Sequence, residues 1–141
     1  MFTLDDAIRI ARAAHGAQLD KSGLPYIEHP LRVMAGVTGE HERMTAVLHD
    51  VVEDTPVTLA DLAEAGCPPE VVAAVDAISK RPGETQTDYL TRVIANPIAL
   101  AVKHADIADN SSPDRLAQLD PATRDRLRTK YADAVDFLAK N

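Results

Sequence analysis

The stretch Met44-Thr45-Ala46-Val47-Leu48-His49-Asp50-Val51-Val52-Glu53-Asp54-Thr55-Pro56 sets Met44, Val47, Leu48 and Val51 at helical spacing, with no period-two alternation. It predicts a helix over 40–53, ended by Thr55-Pro56 because the residue before a proline is pushed out of the helical region. The end of that helix carries His49, Asp50, Glu53 and Asp54. On a continuous helix His49 stacks over Glu53 and Asp50 over Asp54. Three carboxylates at a helix C-terminus repel one another and oppose the helix dipole unless a cation or a basic ligand compensates them. Taken alone, the stretch fits a solvated helix end equally well.

The flanks also read as helical. Thr3 and Asp6 form a capping signal before Leu4, Ala7, Ile8, Ala11 and Ala14, a stripe ending near Ala17. A loop over 19–27 holds Gly23 and Pro25, and a short helix follows over 30–35. Further helices are expected over 58–66, 68–79, 87–96 and 97–110, with a polar loop over 80–86. Pro121 opens the last, with Leu127, Tyr131, Val135 and Leu138 on one face. The expected fold class is all-α: a compact single helical domain, residues 1–141, of about eight short helices held by tertiary packing.

Composition agrees. The 141 residues fit one domain, and the 34 Leu, Ile, Val and Phe together with 23 Ala make a folded, helix-rich composition. A net charge of −7 argues against binding long nucleic acid or an anionic membrane surface. The longest uncharged apolar-rich run, 93–102, is too short to span a bilayer. Asp5 and Asp6 replace the positive segment of a secretory signal, and the single Cys67 has no partner for an internal disulfide. A cytoplasmic, reducing setting is expected.

Two further elements join the opening stretch. Tyr26-Ile27-Glu28-His29-Pro30 places a histidine directly before a proline-started helix. In Lys103-His104-Ala105-Asp106-Ile107-Ala108-Asp109-Asn110, Asp106 lies in an otherwise apolar helix with Asn110 at i+4, and a buried Asp needs a partner. His29, His49, Asp50 and Asp106 then form a set of two imidazoles and two carboxylates, suited to one divalent transition metal. Mn²⁺ is expected ahead of Fe²⁺ or Zn²⁺. His15 fits a hydrogen-bonded structural role and a substrate contact equally well, His41 reads as surface, His104 reads as core or interface, and Tyr131 reads as core ahead of pocket lining.

The order His29…His49-Asp50…Asp106 resembles the HD-domain metal-dependent phosphohydrolases. The motifs His15-x-x-Gln18, Lys21-Ser22-Gly23-x-Pro25-Tyr26-Ile27-x-His29-Pro30, His49-Asp50-x-x-Glu53-Asp54-Thr55 and Lys103-x-Ala105-Asp106-x-x-x-Asn110 are similar to the (p)ppGpp hydrolase domain of RelA/SpoT-type proteins and to small stand-alone alarmone hydrolases. The resemblance implies His29, His49, Asp50 and Asp106 as metal ligands. It implies Glu53 and Asp54 as the pair that orients and deprotonates water, and Asn110 as a positioning group. It also implies Lys21, Lys80 and Arg81 as phosphate contacts. The sequence departs from the family at Asp20, where an Arg implicated in holding the base is usual, and at Ile107 and Ser112, where basic residues are usual. Asp20 therefore implies weak guanine preference.

The function so implied is metal-dependent hydrolysis of a nucleotide phosphoester or pyrophosphate, foremost the 3′-diphosphate of ppGpp, as in the stringent response. A 5′-nucleotidase of the same fold, or a metal- or nucleotide-binding sensor without turnover, are the alternatives. The expected partner is a small nucleotide, with no long nucleic acid and no membrane; the oligomeric state stays open.

Overall fold

Thr3 opens the first helix: its hydroxyl accepts the Asp6 N–H while the Asp6 carboxylate accepts the Thr3 N–H. Helix α1 (Leu4–His15) stops short of Ala17 because Gly16 turns to φ 51°. The computed structural model describes residues 1–20 and 22–140 and shows ten helical segments among them, with no strand beyond a single bridge between Leu19 and Pro25. No helix among the described residues is long and apolar enough to cross a membrane.

Two extra segments exceed the expected eight. The helix predicted over 40–53 is broken into α3 (Glu40–Leu48) and α4 (Val51–Asp54). Asp50 stands at the edge of the helical region at φ −101°, ψ −4°, and the His49 N–H bonds back to the Ala46 carbonyl. Neighbours on a continuous helix diverge by about 100°; the break lets His49 and Asp50 approach one centre. Glu53 and Asp54 consequently sit on a separate four-residue turn instead of at the end of a long helix. Their charges therefore do not face the dipole of a long helix.

The second extra segment is α9 (Pro113–Ala117), capped by Ser112 with Pro113 at its first position. Five residues are too few for periodicity to reveal. The other segments are α2 (Glu28–Ala35), α5 (Leu59–Glu64), α6 (Pro69–Ile78), α7 (Gln86–Ile94), α8 (Pro97–Asn110) and α10 (Pro121–Lys140). α2 begins at Glu28 instead of Pro30, since a proline in the first turn removes only an N–H that has no intrahelical partner. Thr85, not Thr87, caps α7 by accepting the Asp88 N–H.

Two apolar clusters fill the interior. One gathers Ala7, Ala11, Met44, Val47, Leu48, Val51, Leu62 and Val71 around α1, α3, α5 and α6; the other gathers Val33, Tyr89, Leu90, Val93, Val102 and Leu138 around α2, α7, α8 and α10. Met34 packs against both. Every inward residue predicted for α3 is buried. On α10 the stripe is Leu127, Tyr131, Ala134 and Leu138; Val135 is 44% exposed, because i+3 steps from Tyr131 and i+4 steps from Ala134 follow the helix period better. His104, expected in a core or interface, is exposed on the outer side of α8.

Helix α3 packs on α1, α2, α6 and α8, and α2 also packs on α8. A Cβ at Gly36 would stand 3.3 Å from the Ala105 Cβ and 3.3 Å from the Val33 carbonyl oxygen, so the absent side chain lets the end of α2 lie close on α8. That approach sets His29 on α2 opposite Asp106 on α8. Leu48, fully buried, fixes the residue before His49. Truncating such a leucine costs about 2–5 kcal/mol.

Candidate active site

The four predicted ligands come from three places: the first turn of α2, the break between α3 and α4, and the middle of α8. One donor atom each from His29, His49 and Asp50 lies within 4.8 Å of the others. Asp106 Oδ1 stands 2.9 Å from His29 Nε2 and 3.3 Å from His49 Nε2. Asp50 Oδ2 stands 3.1 Å from His49 Nε2 and 3.9 Å from His29 Nε2. Both imidazoles and Asp106 are buried.

The far side of each ring fixes its orientation. His49 Nδ1 is 2.5 Å from the Ala46 carbonyl oxygen, which can only accept, so Nδ1 carries the proton. His29 Nδ1 is 2.6 Å from Asp109 Oδ2 and donates to it in the same way. With a metal bound, each ring would be neutral and would turn its Nε2 lone pair to the shared centre, the arrangement in which an outer carbonyl or carboxylate orients a metal-binding histidine. Two imidazole nitrogens and two carboxylates suit Mn²⁺, Fe²⁺ or Zn²⁺ by donor type. The residues present thus fit a divalent metal.

Charge reinforces the cluster. Burial disfavours charge on His49, yet the Asp50 and Asp106 carboxylates outweigh it and hold the imidazole pKa well above its ordinary value. Burial likewise opposes ionisation of Asp106, but hydrogen bonds from His29 and His49 and the charge of Lys103 hold it well below the usual carboxylate range. Lys103 Nζ lies 3.1 Å from Asp106 Oδ2 and 5.1 Å from the centre of the Tyr89 ring. The Tyr26 hydroxyl donates to Asp50 Oδ2.

These groups open onto a cavity of about 360 Å³ that also meets Glu53, Asp54, Lys80, Asn110 and Arg115. Partial burial and then the neighbouring Asp50 and Asp54 charges raise the Glu53 pKa; burial and Asp50 raise that of Asp54. A carboxylate raised in this way is a better proton acceptor near neutral pH. The Lys80 N–H donates to Glu53 Oε2 at 3.1 Å and fixes that side chain. Asn110 Nδ2 donates to Asp106 Oδ1 at 3.1 Å.

Of the three phosphate contacts expected, Lys80 lines this cavity. Arg81 pairs with Asp76 at 3.0 Å and borders a separate hollow on the other side of Glu53. Lys21 lies outside the described residues. Three participants escaped the sequence reading. Asp109 had a signal, since Asp106-x-x-Asp109 puts a second carboxylate on the same helix face. Lys103, at i−3 from Asp106, had the same kind of signal. Arg115 had none, because α9 itself was not read.

No family model matches the chain. It is 36% identical over 118 residues to a probable GTP pyrophosphokinase of Mycobacterium leprae, covering 74% of this chain and 15% of that protein. It is 47% identical over 76 residues to the guanosine-3′,5′-bis(diphosphate) 3′-pyrophosphohydrolase of Haemophilus influenzae, covering 50% of this chain and 11% of that protein. With the protein of the same name from Aquifex aeolicus it shares 32% identity over 116 residues, 74% of this chain and 16% of that one. The chain therefore spans a small part of each curated relative. Among solved structures, a metazoan ortholog of SpoT that hydrolyzes ppGpp superposes with a TM-score of 0.77 at 25% identity, over 96% of this chain and 84% of that one.

An all-helical fold that delivers His29, His49-Asp50 and Asp106 to one buried centre is that of an HD-type domain. Within that class, with these relatives, the chain belongs with the RelA/SpoT-type hydrolase domains.

Proposed function

We propose that this chain, acting as one domain over 1–141, hydrolyses the 3′-diphosphate of guanosine bis(diphosphate) or a closely similar nucleotide, using a divalent metal, foremost Mn²⁺. The observation that carries this reading is the convergence of His29, His49, Asp50 and Asp106 beside two carboxylates of raised pKa in one cavity. The names of the relatives and the ppGpp hydrolysis of the structural neighbour support it.

His29, His49, Asp50 and Asp106 would hold the metal, which when bound supplies Lewis acidity for a water and for phosphoryl oxygens. Glu53, steadied by the Lys80 N–H, accepts a proton from the attacking water, with Asp54 beside it on the same turn. Asn110, tied to Asp106, orients that water or the phosphate. Lys80 draws the phosphates inward, while for Lys21 and Arg81 a phosphate contact rests on the motif resemblance alone. The cytoplasm is part of the same proposal and fits the lone Cys67, whose burial pushes its thiol up to about 11.

The test is incubation of metal-loaded protein with a panel of nucleotides and identification of the products. Pyrophosphate release from ppGpp is the expected result. Inorganic phosphate from 5′-nucleotides would indicate a nucleotidase instead, and binding without products a sensor.

A further inference from the structure

Among the described residues, one cation stands where two cavities meet. Arg115, on α9, lines the cavity over the histidine-aspartate centre and also a second one of about 280 Å³, bounded by Gln18, Asp20, Ser22 and Leu127. Tyr26, Asn110 and Tyr131 border both, so the two spaces adjoin along one wall. We infer that Arg115 contacts the substrate, receiving the 3′-phosphate bonded to its sugar, and that Asp20 is the residue that aims it. The inference rests on the hydrolase reading and adds to it a binding residue that the family motifs did not assign.

The guanidinium is anchored on one edge. Nη1 donates to Asn110 Oδ1 at 2.7 Å and to Asp109 Oδ2 at 2.9 Å. Asp109 Oδ2 thus accepts from both His29 and Arg115. The other edge turns to Asp20: Nη2 meets Asp20 Oδ2 at 3.7 Å, an ion-pair distance longer than a hydrogen bond. A planar guanidinium fixed by Nη1 presents its remaining fork toward the second cavity.

Asp20 is built to hold that edge in place. Its Oδ1 accepts the N–H groups of Ser22 and Leu24 at 2.8 and 3.0 Å, and its own N–H donates to the Leu24 carbonyl at 2.8 Å. Its side chain is only 9% exposed. The carboxylate is therefore a strut between the loop and α9, not a solvated loop group. The resembled family carries a cation at the position of Asp20; here the cation stands across the gap, on Arg115, with the charge of the loop reversed to match.

The cavity needs such a cation. Asp50, Glu53, Asp54 and Asp106 all face it, and a phosphate entering among them is repelled unless positive charge is supplied. Lys103 is committed to Asp106 at 3.1 Å, and Lys80 and Lys130 line the same cavity without lining the second one. Arg115 is the arginine at the junction.

The test uses full-length, metal-loaded protein carrying Glu53→Gln and Asp54→Asn to suppress turnover, titrated by calorimetry with guanosine 3′-monophosphate and with guanosine. Adding Arg115→Gln should weaken the nucleotide by about tenfold or more, the loss of a charge-assisted contact. Guanosine affinity and metal content should stay the same. Asp20→Asn should weaken the nucleotide by a few fold, and that effect should vanish in the Arg115→Gln background, which marks Asp20 as acting through Arg115. Loss of metal in Arg115→Gln, or unchanged nucleotide affinity, would overturn the inference and leave Arg115 a brace for Asp109 and His29. Unchanged affinity together with product release by the unmodified protein sinks this inference alone, whereas a parent protein that neither binds nor hydrolyses nucleotides sinks both it and the hydrolase reading.

Discussion

His29 Nδ1 and Asp109 Oδ2 lie 2.6 Å apart although 80 residues separate them in sequence. Asp109 is in turn held by Arg32 Nε at 2.7 Å and by Arg115 Nη1 at 2.9 Å. Burial opposes its charge, but the hydrogen bonds from His29 and Arg32 win and keep it well below the ordinary carboxylate range. It is thus an acceptor that fixes which nitrogen of His29 faces the centre.

Asp109→Asn should therefore retain the fold and lose metal affinity, by about 10–100-fold, the usual effect of removing an outer hydrogen-bond partner of a metal-binding histidine. Competition with a fluorescent chelator measures this. Affinity equal to that of the unaltered protein would show that the Asp109 contact has no bearing on the centre.

A second expectation separates metal binding from stability at Asp106. Asp106→Ala removes a ligand and also strips Lys103 of its partner at 3.1 Å. Breaking a buried pair by deleting one side costs about 3–5 kcal/mol, an upper guide here because the Lys103 side chain is 15% exposed. Asp106→Ala should thus lower the urea midpoint, and adding Lys103→Met should recover much of it. Neither variant should hold metal. Full metal stoichiometry in Asp106→Ala by elemental analysis would remove Asp106 from the ligand set.

The sequence shows the helical class, the inward face of α3 and the residues that meet at the centre, because periodicity, caps and chemically costly residues in apolar helices are local signals. His29, His49, Asp50 and Asp106 were legible for that reason. The break at Asp50 was not, because the apolar pattern from Met44 to Val51 continues across it. Arg115 was hidden for a related reason, since its α9 is too short to show a period and its partners lie on α8 and on the loop before α2. Asp20 departs from the family motif, and only the structure shows that it faces Arg115 at 3.7 Å.

Away from the site, Arg92 clamps the loop before α7: it hydrogen-bonds Glu84 through both Nη groups and the Ser79 carbonyl at 2.9 Å. Those bonds hold the Glu84 pKa down to about 2. A carboxylate depressed in the folded state adds stability that is present above its unfolded value of about 4.3 and is lost as pH falls through the folded value. Glu84→Gln should thus lower the urea midpoint at pH 7, and its difference from the unmodified protein should shrink steadily between about pH 4.3 and 2. A difference that stays constant across that interval would mean that the Glu84 charge contributes nothing.

The assignment of the proton acceptor is the remaining step to test, because Glu53 and Asp54 share one turn and both are raised. Glu53 is the better placed: the Lys80 N–H fixes one of its oxygens at 3.1 Å, leaving the carboxylate oriented as it receives a proton. Glu53→Gln is nearly isosteric and cannot accept a proton, so it should keep the metal and lose about 10²–10⁴-fold in kcat. The raised pKa sets the direction of the pH profile. A base must be deprotonated to act, so activity should fall as pH drops through a value above the ordinary glutamate range, and that acidic limb should disappear in whatever activity Glu53→Gln retains. If Glu53→Gln turns over at the normal rate with the limb intact while Asp54→Asn is inactive, Asp54 is the base and Glu53 serves only to pin the Lys80 loop.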